Sequence, residues 1–180
     1  MSSFLRFIGI VNAAVWFGAG IFFAAVVLPA VFSQDLHRLF GEAAYRYYSG
    51  GVALVMFRRF FMLQYVCGTL AVLLLLAERI YLGRAFPRFG SALVLAILGL
   101  GLIGGFWLQP RMEQFRQTMY FGPTQQEKDS ARHSFGMWHG VSQLANLLIV
   151  GGLLVHLARV TRPAGQSRPS RPGIIYQIPS

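Results

Sequence analysis

The sequence predicts an all-α integral membrane protein, a four-helix bundle with a short amphipathic interfacial helix between the first and second spans. Three observations carry this. Of the 180 residues, 55% are hydrophobic and only 12% are charged, roughly half the charged fraction of an ordinary soluble domain. The apolar residues fall in four runs that each reach the ~20 residues a bilayer crossing requires. The breaks between those runs collect the Pro, Gly and charged residues that end helices.

The first span is read as Phe4 to Phe32. Its apolar run after Arg6 is too long for a cleaved leader and lacks a small-x-small site near its end, so it is expected to be retained. Pro29 predicts a kink, because its missing N–H frees a carbonyl one turn earlier. Next, Leu36, Leu39, Phe40, Ala43, Ala44 and Tyr47 recur at three and four residues opposite Asp35, Arg38 and Glu42. That is an amphipathic helix, placed either in the headgroup plane or against the ends of the spans, with Gly50-Gly51 expected to break it.

The second span is read as Phe57 to Leu82 and holds Cys67, the single cysteine. No intrachain disulfide can form, and the thiol reads as a small buried hydrophobe. The third span, Gly90 to Gln109, carries Gly101 and Gly105 at the small-x-x-x-small spacing that lets helix backbones approach, either inside the bundle or in a homo-oligomer. Its helix is expected to continue with Met112, Phe115 and Met119 on one face and to turn at Gly122-Pro123. Asp129 or Ser130 is then expected to cap the fourth span, Arg132 to Val160. Residues 1–161 thus form the transmembrane domain. Residues 162–180, rich in Pro, Ser and Arg, are expected to be a disordered basic tail.

The net charge of +10 does not point to nucleic acid, since no basic stripe with interleaved aromatics occurs. The basic residues are scattered at the ends of apolar runs and in the tail, where lipid phosphates are the nearer partner. Four spans place both termini and the 78–88 loop on one side, and Lys and Arg divide eight against eight between the two sides. Assigning Arg58, Arg59, Arg111 and Arg116 to the helices breaks the tie toward cytoplasmic termini in a bacterial inner membrane.

Polar residues inside the spans locate the candidate site. On the fourth span His139, Ser142, Gln143 and Asn146 stand at i, i+3, i+4 and i+7, a polar seam expected to point away from lipid. Arg58, Arg59, Gln64, Gln109, Arg111, Glu113 and His133 all belong to the same end of the bundle as His139. They predict a polar mouth, with Glu113 as the carboxylate for the arginines and Asn12 approaching from the opposite side. No resident cofactor is expected. Two alternatives remain: a soft metal such as Cu(I) on His133 and Met137, one helical turn apart, and a five-coordinate haem on His139. A bis-histidine haem fails, because His139 and His156 share one helix and stand about 25 Å apart. Ser142 and His139 lack an orienting third group, and no paired-carboxylate or phosphate-loop motif occurs, so enzymatic activity is not expected.

Phe135, His139-Gly140, Ser142 and Asn146-Leu147 resemble the F-x-x-x-H-G-x-S-x-x-x-N-L signature of the transmembrane protein 205-like family. Trp107-Leu108-x-Pro110-Arg111 is similar to that family's W-L-x-P-R, and Asn12, Trp16 and Gly18-x-Gly20 to its first helix. A more distant likeness is to copper-resistance D-like membrane proteins, whose first-helix histidine is replaced here by Asn12. The resemblance implies a four-helix membrane protein without an established activity. The functional expectation is therefore a small solute or soft metal bound or passed in a polar cleft within the bundle. The competing expectation is a scaffold or accessory subunit that partners itself or a larger membrane complex.

Overall fold

The computed structural model describes residues 2–83 and 88–162, and within them the chain is helical without strands. Helix α1 covers 2–31, α2 covers Gln34–Phe40 and α3 Glu42–Leu82; α4 covers Arg88–Phe121 and α5 Gln125–Thr161. Helices α1, α3, α4 and α5 are each long and apolar enough to cross a membrane. They pack up-down-up-down, each against two neighbours in the ring α1–α3–α4–α5, as short connections between antiparallel helices require. The tail expected at 162–180 lies almost wholly outside the described residues, as does the 84–87 connection.

Twenty residues separate Arg58 from Glu78 on α3, and twenty separate His139 from Arg159 on α5. At 1.5 Å per residue each interval is about 30 Å, the thickness of a bilayer's hydrocarbon core. The bundle therefore has a terminal face, marked by Arg6, Glu78 and Arg159, and a hairpin face, marked by Arg58, Arg111 and His139. Large side chains between these levels, such as Phe22, Val66, Leu73, Leu95 and Leu154, are exposed on the outside, an apolar surface that suits lipid rather than water. Beyond the hairpin level α1 stops at Val31, whereas α3, α4 and α5 run on as a headpiece.

The break expected at Gly50-Gly51 falls instead at Gly41, whose φ of +72° is open to glycine and strained for other residues. Gly50 and Gly51 continue α3 because they lie against the Arg116 side chain: a Cβ on Gly50 would come 3.4 Å from Arg116 Cδ. Helix α2 packs on the first turns of α3, with His37 stacked on Tyr45 at 4.4 Å and Phe40 beside Tyr48 at 5.6 Å. The cap of α5 also falls earlier than expected. Thr124 Oγ1 accepts from the Glu127 N–H at 3.2 Å, in a Thr-x-x-Glu pattern whose start precedes Asp129 and Ser130 by more than a full turn.

A wide turn precedes Pro29. Residues Phe23–Val27 form a wide π turn in which the Leu28 N–H reaches back five residues to the Phe23 carbonyl. Helix α4 repeats the device at Gly104–Leu108, where the Gln109 N–H reaches the Gly104 carbonyl just before Pro110. Both π turns thus lie just before a proline, a place where the helix cannot keep its regular bonding.

The core is assembled by all four spanning helices from Trp16, Cys67, Ala71, Val94, Ile97, Ile149 and Leu153. Gly68 makes room for Trp16 and Leu98, and Gly152 for Ile97. Gly104 and Gly105 face Phe61 and Tyr65 of α3, and a Cβ on Gly105 would run into the Tyr65 hydroxyl. Gly105 thus serves packing inside the bundle.

Candidate functional site

The polar residues of the spans separate into three places rather than one mouth. The first is internal. Asn12 Nδ2 donates to the Cys67 carbonyl at 2.9 Å, and one turn along α1 the Trp16 indole N–H donates to Gln64 Oε1. Asn12, Trp16 and Gln64 are all buried, so α1 is tied to α3 by two buried hydrogen bonds. Trp16 also meets the buried His156 ring edge-on at 6.4 Å. Asn12 was expected to approach the seam on α5; it bonds α3 instead, because α1 packs between α3 and α5 with this face turned to Cys67.

Above this column, at the terminal face, lies a cavity of about 320 Å³ whose polar lining is Asn12, Glu78, Arg6, His156, Arg159 and Arg162. Every spanning helix contributes to its wall. Arg6 donates through Nη2 to the Arg162 carbonyl at 2.6 Å, and the Arg159 guanidinium lies 4.6 Å from the centre of the Phe89 ring. Neither contact neutralises a charge. With Glu78 the only acid among them, the lining keeps a cationic excess. The His156 ring makes no hydrogen bond with another described residue. Sequence reasoning passed over this site because its residues come from four helix ends; the available signal was His156 and Arg159 at i, i+3 on the inward side of α5.

The second place is a groove of about 970 Å³ between α3 and α4 toward the hairpin face, lined by Arg58, Arg59, Gln109, Glu113 and Arg116 among others. Four expected mouth residues do meet here. Their pairing differs from expectation, since Glu113 takes Arg116 in a two-point contact, at 2.8 Å and 3.1 Å, and not Arg58 or Arg59. The i, i+3 spacing on α4 puts Arg116 nearer. Arg116 further donates to the Tyr47 carbonyl at 3.3 Å and lies 4.9 Å from the centre of the Tyr47 ring. Gln109 Nε2 donates to the Leu54 carbonyl at 3.0 Å. Arg111 is outside the groove, exposed near Trp107 at 5.6 Å from its ring centre, and Trp107 meets Trp138 of α5 edge-on.

The third place is the seam, and it faces outward. His139 and Gln143 are exposed, and Ser142 and Asn146 are partly so, because α5 turns His156, Leu153 and Ile149 inward instead. His139 stacks on Phe135 and pairs with Gln143 Nε2 at 3.0 Å. Ser142 Oγ donates to the His139 backbone carbonyl at 2.7 Å, so the hydroxyl does not engage the imidazole. His133 and Met137 are exposed on the same helix. Among the described residues no three His, Cys, Asp or Glu side chains converge as a metal site.

A family model for a domain of unknown function, DUF4149, matches residues 11–120. That is more than half of the chain. The chain belongs to the DUF4149 family. The DUF4149 match takes in Asn12, Trp16 and Gln64 of the buried column and Arg58 to Arg116 of the groove. It ends at Tyr120, one residue before the end of α4, so the outward seam and His156 lie outside it. No curated protein and no solved structure matches the chain.

Proposed function

We propose that this DUF4149 protein binds a small anionic solute in the cavity at its terminal face. The observation that carries the reading is the cavity itself, where Arg6, Arg159 and Arg162 surround a space closed below by buried Asn12 and His156. Guanidinia at the edge of a low-dielectric pocket attract carboxylate, phosphate or sulfate groups, and planar donors give that attraction geometry. His156 and Asn12 supply polar partners for a second polar group on the ligand. The floor rests on fully buried Trp16, which favours binding from one face over an open conduit. The reading assigns no chemical step to the chain.

The same reading puts the terminal face in the cytoplasm of a bacterium. Arg38, Arg116 and Arg132 at the hairpin end each stand within 4.0 Å of a carboxylate, which lowers the unpaired positive charge there and tips the even basic count. The likeness of Phe135 to Leu147 to the transmembrane protein 205-like signature belongs to this proposal as well, and it draws attention to α5. A second reading, a scaffold or accessory subunit, is favoured by the outward seam: His139 and Gln143 offer polar atoms to another helix rather than to the bundle.

Thermal unfolding of the detergent-purified protein separates the two. Phosphate, sulfate and succinate are compared with chloride at matched ionic strength. At a hundredfold excess over Kd a bound anion adds about 2.7 kcal/mol. The expected result is stabilisation by at least one of the three that Arg6→Gln/Arg159→Gln abolishes and Arg58→Gln/Arg59→Gln leaves in place. Identical unfolding in all four salts overturns solute binding and leaves the scaffold.

A further inference from the structure

The groove between α3 and α4 is a different kind of site from the terminal cavity, and it opens sideways. Its apolar wall is made by Phe61, Met62, Tyr65 and Phe106, of which Met62 and Phe106 are exposed on the lipid-facing side. Its inner end narrows at Gly105, where only a missing side chain lets the helices close on Tyr65. At its rim stand Arg58 and Arg59, both exposed. Neither guanidinium has an ion-pair or hydrogen-bond partner among the described residues, because the one carboxylate in the groove, Glu113, is held by Arg116 at two points.

Depth decides what can occupy such a groove. Arg58 lies about 30 Å along α3 from Glu78, so the paired guanidinia stand at headgroup level while Met62 and Tyr65 stand one and two turns inside the hydrocarbon. The occupant must be anionic at one end and apolar for at least two helical turns below it. A free anion satisfies the rim and leaves the wall bare; an uncharged lipid does the reverse.

We infer that this groove holds an anionic diacyl phospholipid, its phosphate on Arg58 and Arg59 and an acyl chain along Phe61, Met62, Tyr65 and Phe106. Gln109, whose NH2 is engaged by the Leu54 carbonyl, presents its own oxygen near a headgroup hydroxyl or amine. The site needs no contribution from the terminal cavity, and the two readings stand or fall separately.

The test is native mass spectrometry of the full chain released from micelles doped equally with phosphatidylglycerol and phosphatidylcholine. Two basic residues at a lipid surface give a preference on the order of thirtyfold for the anionic lipid. That preference is expected for the wild type, lost in Arg58→Gln/Arg59→Gln, and kept in Arg58→Lys/Arg59→Lys. Equal retention of both lipids by the wild type overturns the inference. So does displacement of phosphatidylglycerol by millimolar inorganic phosphate, which assigns the rim to a free anion. A measurement on the unaltered protein guards against misfolded variants. Phosphatidylglycerol bearing a photoreactive group on its acyl chain should label Met62 or Phe106, and labelling spread evenly over the outer faces of α1 and α5 counts against the site.

Discussion

Arg116 shows how a single side chain can decide local structure at a distance of some seventy residues. It is nearly buried, its side chain 10% exposed, and it spends its donors on Glu113 and the Tyr47 carbonyl while its flat face lies toward the Tyr47 ring. Gly50 and Gly51 exist in α3 to let it pass. Removing one partner of a buried pair strands the other charge, at about 3–5 kcal/mol when both are fully buried. Glu113 is 31% exposed, so Glu113→Gln is expected to cost nearer 2–3 kcal/mol. Glu113→Gln/Arg116→Met should cost less than the sum of the single changes, which a double-mutant cycle on thermal unfolding measures. Ser49, one position before Gly50, is wholly buried with a hydroxyl that has no hydrogen-bond partner among the described residues.

At the scale of elements, the hydropathy runs made the four spans legible to within a few residues at most ends, because a bilayer imposes length and apolarity directly on sequence. Two ends were misjudged, and both for the same reason. A glycine or a cap reads alike on paper whether it terminates a helix or accommodates a neighbour, and only the neighbour decides. Gly41 terminates α2; Gly50-Gly51, the more conspicuous pair, does not. Gly41→Ala is therefore expected to destabilise by about 1–3 kcal/mol, the cost of a positive φ with an extended ψ on a residue with a Cβ. Gly51→Ala should cost less, since the closest atom to a Cβ there is Arg116 Nη1 at 3.9 Å. Paired melting curves of the two variants test the assignment. The seam on α5 was misjudged for a related reason: periodicity shows which residues share a face, never which way the face turns, and the inward direction was taken by His156, Leu153 and Ile149.

For the whole molecule, the two 20-residue intervals on α3 and α5 define the same slab, and a labelling experiment can check it. In a Cys67→Ala background, cysteines at positions 114 and 132 should react with an impermeant maleimide from one side of sealed vesicles, and cysteines at 6 and 162 only from the other. Reaction of all four from one side would break the four-span topology. The polar column of Asn12, Trp16, Gln64 and His156 was only partly foreseen: its members were visible as polar residues in apolar runs, but their convergence depends on how α1 docks between α3 and α5. The headpiece carries a mechanical consequence. Helices α3, α4 and α5 run past the hairpin level, where Arg116 of α4 ties Tyr47 of α3 to Glu113, whereas α1 ends at Val31. A load applied to the headpiece is therefore shared first between α3 and α4, and it reaches α1 through the contact with α3 that the Trp16–Gln64 and Asn12–Cys67 bonds hold.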